Sequence, residues 1–417
     1  MIITWIDLWT TNSVAGIANT DNDNFSLVPL GENRIPTRTV LFEHEKLDDV
    51  LFWDRWFSEY IKRKSGRLLE SPKSFLNTQD EIETRFDGKW RKLSDILGQF
   101  LTHVKEAVDS QAGQSVETVI LGRPVHFHDT DEKLDQLAQN RLERAARLAW
   151  FSTIHFELEP VAAAMSYDSS QLKEDDLALV VDLWGGTSDF SLLRKKWDGE
   201  FQVLGNDGIY IGGNNFDTKL SNTFFADHFG KWLSYKDTAD REHVIPAHYF
   251  LRLWEWDTIH ALADARDREH FNQILNGLDG EEKIRFWRFV QVRKDWKGFD
   301  YHRMIEEAKI WLSSADEFSG KSTFLRDNFS YRVGRTLFED SVRQLGADIQ
   351  RKLQQTAQLG WKKASDVQKI LITWGTWQIP LIRQLIWKEV GWEDKLVNLD
   401  PFAAVGKGLA LSWKKFL

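Results

Sequence analysis

The chain has 417 residues, of which 42% are apolar and 28% charged, so it is long enough for two to four domain-sized cores and too apolar for a disordered protein. Its net charge of -9 argues against a nucleic-acid-binding protein, and the absence of cysteine excludes disulfides and thiolate metal sites. Because the sequence shows neither a secretory signal at MIITWIDL nor an apolar run of membrane-spanning length, we expect a cytoplasmic protein that binds neither membranes nor nucleic acid.

The first part of the chain predicts a β-meander followed by a strand–helix–strand unit. The apolar runs MIITWIDLW, SVAGIA and FSLVPL are separated by short polar turns. Apolar spacing typical of helices covers about residues 47–64, 93–108 and 134–150. The last of these helices lies between the strand-like segments VETVILGRPV and STIHFEL, and a helix follows at PVAAAMSY. This order predicts a parallel pair of strands within residues 116–167.

The pattern then restarts in the second half. LALVVDLWGGTSDFSLLRKK predicts a hairpin, EFQVL a third strand and GGNNFDTKL the start of a helix. Residues 249–355 predict helices with no clear strand. VQKILITWGTWQIPLIRQLI predicts a strand, a loop and a helix, and DPFAAVGKGLALSWKKFL predicts a last helix.

One hairpin pattern occurs twice, as IDLWTTNSVAGI and as VDLWGGTSDFSL. Each is an apolar strand that ends in Asp-Leu-Trp, a turn of small residues and a returning strand, which predicts two similar lobes facing one cleft. Backbone N–H groups in such turns bind phosphate, and a carboxylate beside each turn suits hydrated Mg²⁺. The alternative is that Asp7 and Asp182 only cap turns.

Several segments together resemble a known family: SPKSFL, ILGRPVHF, ELEPVAAA, GGNNFD, the loop at residues 373–380, and NLDPFAAVGKGLA. They resemble the nucleotide-binding domain of DnaK-type heat-shock chaperones, in the actin-like ATPase superfamily, and are most similar to its short bacterial YegD-like members. The resemblance covers nearly the whole chain. It implies an α/β, two-lobed, ribonuclease-H-like fold with a nucleotide cleft between the lobes.

The resemblance also implies domain boundaries and an activity. Lobe I would hold residues 1–177 with a terminal helix at 398–417, and lobe II residues 178–397 with a mostly helical subdomain at about 222–303. The protein would bind and hydrolyse ATP with Mg²⁺, and lobe closure would be coupled to an unidentified protein client or co-chaperone. The family's peptide-gripping β-sandwich is not expected here. A small-molecule kinase on the same fold is a further alternative.

Roles at the phosphate end follow from the resemblance residue by residue. Asp7 and Asp182 would hold Mg²⁺ through water. The phosphates would lie against Thr10, Thr11, Asn12, Gly185, Gly186 and Thr187. The catalytic set would be Lys73, Glu159, Thr187 and Asp189. Within it, Lys73 would neutralise charge near the γ-phosphate, while Glu159 and Asp189 would position the attacking water. Without the resemblance, Lys73 would be an exposed loop lysine and Glu159 a helix start.

Other matching positions would hold the nucleoside part of ATP or ADP. These are Gly212, Gly213, Glu306, Lys309, Ser313, Gly375, Thr376 and Asp400. The positions 306, 309 and 313 share one helix face, which could equally be a solvated face, and Asp400 could instead cap the last helix. The family often has arginine where Ile310 stands, so adenine recognition would differ in detail.

Tryptophan is unusually abundant, with 20 residues. Trp9, Trp184 and Trp374 stand where the family has glycine in the phosphate loops, and Trp5 and Trp150 also stand at small-residue sites. An indole there would compete with phosphate and metal. Because one amino acid recurs at these sites, we hypothesise that the native residue at positions 9, 184 and 374 is glycine, encoded by UGA in a lineage that reads this codon as glycine. The alternative is a genuine set of indoles, and thus a nucleotide-binding-defective interaction module.

Overall fold

A computed structural model describes most of the chain. The described residues are 1–8, 12–22, 24–30, 37–43, 51–52, 59, 67–70, 72–86, 88–128, 131–167, 171–183, 185–251, 253, 265–294, 297–360, 362–373, 375–391, 395–400 and 404–416. Trp9, Thr10, Thr11, Trp184 and Trp374 lie outside these ranges, so the predictions made for them stay predictions.

The strands are numbered in chain order. They are β1 Ile2–Leu8, β2 Asn12–Asn19, β3 Asn24–Val28, β4 Thr37–Arg38, β5 Val40–Glu43, β6 Leu51–Phe52, β7 Arg67–Glu70, β8 Glu83–Phe86, β9 Lys89–Lys92, β10 Thr118–Arg123, β11 Thr153–Leu158, β12 Leu177–Leu183, β13 Ser188–Lys195, β14 Phe201–Ile209, β15 Ser234–Lys236, β16 Glu242–Val244, β17 Glu317–Lys321, β18 Ser330–Gly334, β19 Lys369–Thr373 and β20 Leu396–Asn398.

The two large sheets have the same topology. One has the strand order β3-β2-β1-β10-β11, with β4 also paired to β2, and the other has the order β14-β13-β12-β19-β20. In both sheets the first three strands along the chain are antiparallel, and the last two run parallel to the first. The repeat seen in the two hairpins therefore extends over a whole five-stranded sheet in each half.

Helices cover both sheets. The α-helices are Leu93–Ala112, Glu132–Leu148, Glu159–Ser166, Gly213–Leu220, Ala226–His228, His248–Leu251, Ala265–Asn276, Gly280–Lys294, Gly298–Leu312, Arg335–Leu359, Pro380–Val390 and Ala404–Leu411. Local signals explain several starts: the Asp131 side chain accepts hydrogen bonds from the N–H groups of Lys133 and Leu134, and Pro160 lies in the first turn of its helix. The helix that begins at Glu159 follows β11 directly, with no loop between them.

Two sequence predictions about helices are wrong in part. The expectation of no strand within residues 249–355 fails, because β17 and β18 form a hairpin. Both strands have only five residues; β17 alternates exposed with half-buried positions and β18 alternates exposed with buried ones, so the apolar signal is weak. The predicted helix at 47–64 is contradicted at Leu51–Phe52, which forms β6 against β5, while most of the segment lies outside the described residues. The mostly helical subdomain at 222–303 also contains the β15–β16 hairpin.

The inner faces of the two sheets enclose a shared core. Ile3 and Trp5 of β1 and Ala178 and Val180 of β12 belong to one buried cluster. That cluster also contains residues of the helices Glu159–Ser166 and Ala404–Leu411. The two helices cross very closely: a Cβ atom on Gly408 would lie 1.7 Å from the carbonyl oxygen of Ala162. Only glycine permits this backbone approach, which fixes the two helices between the sheets. The lobe boundaries themselves remain predictions.

Candidate functional site

The two Asp-Leu hairpins have the same register. Asp7 faces Val14 across the β1–β2 hairpin, and Asp182 faces Asp189 across the β12–β13 hairpin. In both, the last pair before the turn is a leucine with a serine, Leu8 with Ser13 and Leu183 with Ser188. Since side chains alternate along a strand, Asp7 and Asp182 point to the same inner faces as the shared core. The two carboxylates therefore sit at equivalent ends of equivalent strands.

Asp7 lies beside Glu159. Asp7 is fully buried. Because β1 pairs in parallel with β10, Gly122 lies next to Asp7 on the adjacent strand. A Cβ atom on Gly122 would lie 3.3 Å from Asp7 Oδ1 and 3.3 Å from Glu159 Cγ. The missing side chain at Gly122 thus leaves room for two acidic side chains from different elements.

Lys73 and Glu159 form an ion pair. Lys73 lies in a 3₁₀ turn at Pro72–Phe75, and its Nζ is 2.6 Å from Glu159 Oε1. The side chains are only 8% and 18% exposed, so the pair is shielded from water. The alternative of an exposed loop lysine does not describe Lys73, whereas Glu159 is both the predicted site residue and the first residue of a helix.

Asp182 is held between two neighbouring strands. Its Oδ1 accepts a hydrogen bond of 2.6 Å from the hydroxyl of Thr373, its partner on β19, and Asp189 is its partner on β13. Burial raises the pKa of Asp182 well above its ordinary value, and the charges of Asp189 and Glu159 act in the same direction. The Thr373 hydrogen bond and the Lys73 charge oppose this rise. A nearby cation would stabilise the ionised carboxylate.

The exposed Asp189 is oriented by its own turn. Its Oδ2 accepts a hydrogen bond of 3.0 Å from the hydroxyl of Thr187. Its Oδ1 lies against Gly208 of β14, where a Cβ atom would be only 2.6 Å away. The predicted site residues Thr187 and Asp189 are therefore neighbours of Asp182 at one edge of the second sheet.

Four segments meet around Gly213. A Cβ atom there would lie 3.6 Å from Lys309 Nζ, 3.7 Å from Thr376 Oγ1 and 3.8 Å from the Cα of Gly185. The neighbouring Asn214 N–H donates to the carbonyl oxygen of Gly185 at 2.6 Å. The structure thus brings together the predicted phosphate-loop residue Gly185 and the predicted nucleoside residues.

Lys309 is anchored by an aspartate that the sequence analysis did not assign to the site. Its Nζ is 2.7 Å from Asp217 Oδ2. Burial raises the pKa of Asp217, the positive charge of Lys309 lowers it, and the negative charge of Glu306 raises it. Asp217 is the last residue of the GGNNFD segment, close in sequence to the predicted site residues Gly212 and Gly213. This closeness was the one sequence signal that could have placed Asp217 in the site. Ser313 lies just beyond the helix, where its hydroxyl donates to the Lys309 carbonyl at 3.1 Å.

The remaining predicted residues lie around this arrangement. Asn12 begins β2 and pairs with Arg38. Gly186 is exposed, with open space where its Cβ would be. Gly212 caps the helix that starts at Gly213, and Gly375 begins a 3₁₀ turn. The carbonyl of exposed Asp400 accepts a 2.9 Å hydrogen bond from the N–H of Ala404, which places Asp400 just before the last helix.

Some of these groups line a cleft. Among the residues lining it are Glu159 and Val405 from the inner helices, and Asp182, Asp189 and Thr373 from the second sheet. Within the described ranges, no group of three or more histidine or acidic side chains could hold a metal directly. Magnesium usually keeps several of its waters and takes one or two protein carboxylates, so the donor set of Asp7 and Asp182 fits a water-mediated cation. In the part of the chain that is described, no helix is both long and apolar enough to cross a membrane.

Comparisons with known proteins agree with this architecture. A family model described as Hsp70 protein matches residues 55–245. Proteins named chaperone protein DnaK, from Thermosipho melanesiensis and Thermosipho africanus, are each 23% identical to this chain. The alignments cover 97% of this chain and 58% of each relative, so the chain spans a little over half of their length. These similarities support a relation between this chain and the Hsp70/DnaK family. The mixed α/β architecture confirms the predicted fold class.

Proposed function

From this similarity to the Hsp70/DnaK family, we propose that the chain binds ATP with Mg²⁺ in the cleft and hydrolyses it. Closure of the lobes on the nucleotide would be coupled to a protein client or co-chaperone, as the activity of a DnaK-like chaperone-family protein. The family match supports the assignment at the level of the family, and the side-chain arrangement of the cleft supports the chemistry.

The observation that carries the proposal is the paired hairpins. Asp7 and Asp182 lie on equivalent strands of two sheets with the same topology and point to the inner faces of those sheets. Glu159, which pairs with Lys73, lines the same cleft as Asp182. A single Asp at a strand end is common, but two in the same register at one cleft suit a ligand that bears many negative charges together with its cation.

The phosphate end would work mainly by positioning and charge neutralisation, which is what phosphoryl transfer requires. Bound Mg²⁺ would neutralise phosphate charge, with Asp7 and Asp182 holding its waters. Lys73 now donates to Glu159. A γ-phosphate would compete with the Glu159 carboxylate for this ammonium, and the released carboxylate could then accept a hydrogen bond from the attacking water. Asp189, oriented by Thr187, would act on the same water.

The nucleoside would lie against Gly212, Gly213 and the Thr376 turn, with Lys309 on the opposite side. Because Asp217 fixes the ammonium of Lys309, that group is preorganised to donate to a purine or ribose acceptor. Ile310 is 57% exposed beside it and offers only an apolar surface. We infer that the base is gripped less tightly than in relatives with an arginine there.

Finer assignments rest on sequence alone. The segments SPKSFL and NLDPFAAVGKGLA support a closer relation to the short YegD-like members, and the lack of cysteine suits a cytoplasmic location. A small-molecule kinase on this fold is an alternative that requires a second substrate. ATP turnover without any added metabolite, unaffected by sugars, would count against it.

A second candidate function arises from the tryptophans. If Trp184 and its counterparts Trp9 and Trp374 are genuine indoles, the phosphate loops lose the room that glycine provides. The chain would then be a nucleotide-binding-defective pseudo-ATPase that keeps the fold for protein contacts. Nucleotide-dependent thermal stabilisation distinguishes the two functions.

The Lys73→Ala variant should lose most ATP turnover. Removing one preorganised charge at a site of phosphoryl transfer costs roughly 10²–10³-fold in kcat. The measurement is phosphate release at saturating Mg-ATP, with all variants made in the chain that carries glycine at positions 9, 184 and 374. Lys105→Ala is the matched control, because Lys105 is also buried and also paired at 2.6 Å, with Asp109, but in the helix Leu93–Ala112. If ATP turnover falls equally in both variants, the loss is a general effect of breaking the ion pair of a buried lysine, and Lys73 has no special role in the mechanism.

A further inference from the structure

Thr373 is in a position to orient Asp182. It ends β19 beside Asp182, is only 3% exposed, and gives its hydroxyl proton to Asp182 Oδ1 at 2.6 Å. This hydrogen bond joins residues 191 positions apart, so it depends on the parallel pairing of β12 with β19. It fixes one oxygen of the carboxylate and leaves the other available to the cleft.

We propose that Thr373 is the positioning residue for Asp182, and that its hydroxyl orients this carboxylate towards the hydrated cation. The inference rests on the proposed function. Hydrogen-bond partners of metal-binding carboxylates set the orientation of those carboxylates, and their loss typically weakens metal binding by about 10–100-fold. In the first sheet, Gly122 occupies the corresponding place beside Asp7 and offers no hydroxyl, so the two halves of the cation site are supported differently.

The test compares Thr373→Val with Thr373→Ser. Valine keeps the shape and loses the hydroxyl, whereas serine keeps the hydroxyl. Both variants are made in the chain with glycine at positions 9, 184 and 374. We measure its affinity for ATP by calorimetry with Mg²⁺ and with EDTA, so that the readout is the ratio of the two affinities rather than turnover. Thr373→Val should lower this ratio by about tenfold, and Thr373→Ser should restore most of it.

Thr356→Val is the matched control. Thr356 is fully buried, and its hydroxyl donates to the Lys352 carbonyl in a helix, so this variant should leave the ratio unchanged. An unchanged ratio in Thr373→Val, with binding by the parent chain intact, would overturn the role of Thr373 alone. If the parent chain, which carries glycine at positions 9, 184 and 374, shows no Mg²⁺-dependent binding of ATP, the proposed function fails first and the inference with it.

A separate observation concerns how helices end. The helices Leu93–Ala112 and Pro380–Val390 end on glycines in the left-handed region, Gly113 at φ 67° and Gly391 at φ 90°. The helix Glu132–Leu148 ends in the same way, but its left-handed residue is Trp150, at φ 67°. The Trp150 N–H donates to the Arg147 carbonyl and the Phe151 N–H to the Ala146 carbonyl. This is the Schellman pattern, whose left-handed position is usually glycine.

Trp232 repeats the anomaly. It has φ 70° in the turn after Gly230, where a bulky residue is an outlier. Both indoles are largely exposed, at 79% for Trp150 and 66% for Trp232. The Trp232 ring does lie under Lys231 Nζ at 4.9 Å, so it has one compensating contact.

We infer that positions 150 and 232 are glycine positions, and that the source cell inserts glycine there. The observation is independent of the phosphate loops, because neither residue lies in the cleft. It extends the hypothesis that UGA codons are read as glycine from the nucleotide site to two ordinary turns. At these turns no ligand-binding role would favour an indole over the glycine that the positive φ angles favour.

Two measurements test this inference. Peptide mass spectrometry of the protein isolated from its source should find glycine at 150 and 232, and tryptophan at both would overturn it. In recombinant protein, Trp150→Gly should raise Tm by about 2 °C because left-handed strain is removed. Trp90→Gly should lower Tm, since Trp90 lies within strand β9 and glycine weakens strands. A lower Tm in Trp150→Gly would contradict the backbone argument.

Discussion

Replacing Trp9, Trp184 and Trp374 together with glycine should turn a chain that ignores Mg-ATP into one that the nucleotide stabilises. Trp184 comes between Leu183, the last residue of β12, and Gly185, whose carbonyl accepts the Asn214 N–H. An indole at this point would fill the concavity in which the backbone N–H groups meet phosphate. With glycine, Mg-ATP at 100 times its Kd should add about 2.7 kcal/mol to the free energy of unfolding.

The measurement is Tm with and without Mg-ATP, for the chain with its tryptophans and for the triple-glycine variant. At this size, the added free energy corresponds to a rise of roughly 3 °C in the variant. A double variant with glycine at Trp90 and Trp197, both exposed, controls for the loss of indoles as such. If the tryptophan-bearing chain is stabilised as strongly as the triple-glycine variant, the tryptophans do not obstruct the site, and the pseudo-ATPase alternative loses its basis.

The Asp182→Asn variant should lose Mg-ATP binding while becoming more stable without nucleotide. Burial raises the pKa of Asp182 in the folded protein. The associated stability is fully present below the pKa of the unfolded chain and is lost as pH rises through the folded pKa. At neutral pH the ionised carboxylate is therefore a cost, which the neutral amide avoids. The expected gain in Tm at pH 7 should disappear near pH 4.

The Asp217→Asn variant tests whether neutralising any buried aspartate with a raised pKa would stabilise the protein. Asp217 is also buried with a raised pKa, but it is paired with Lys309 at 2.7 Å. Neutralising it leaves a partly buried ammonium without its counter-charge, so Tm at pH 7 should fall. Thermal unfolding of both variants between pH 4 and pH 8 checks the contrast. A fall in Tm for Asp182→Asn at pH 7 would show that this carboxylate stabilises the ligand-free protein.

The strand pattern could be predicted because short stretches of sequence indicate it. IDLW and VDLW each end an apolar run before a small-residue turn, and the structure places a hairpin at both. The β17–β18 hairpin was missed because its short strands bury only part of one face. The spacing of apolar residues in the sequence does not predict such a hairpin well, since the pairing of its strands depends on packing against other elements of the fold.

The site was harder to predict than the fold. Lys73 and Glu159 are 86 positions apart, and no spacing rule connects a loop lysine to a helix start. The resemblance supplied both residues, but only the structure shows them paired. Thr373 and Asp217 were missed for a related reason: their importance comes from one hydrogen bond or ion pair to a residue on another element, which the sequence does not display.

The matching topology of the two sheets extends to the helices at their ends. β11 leads into the helix Glu159–Ser166, and β20 precedes the helix Ala404–Leu411, so these helices are counterparts as well. They touch each other where Gly408 meets Ala162, near the middle of both. The contact therefore joins the two repeated units through equivalent helices, and only glycine at position 408 lets their backbones approach this closely. Any side chain at Gly408 would push the two helices apart and would strain both sheets at once, because each helix follows the last strand of its own sheet.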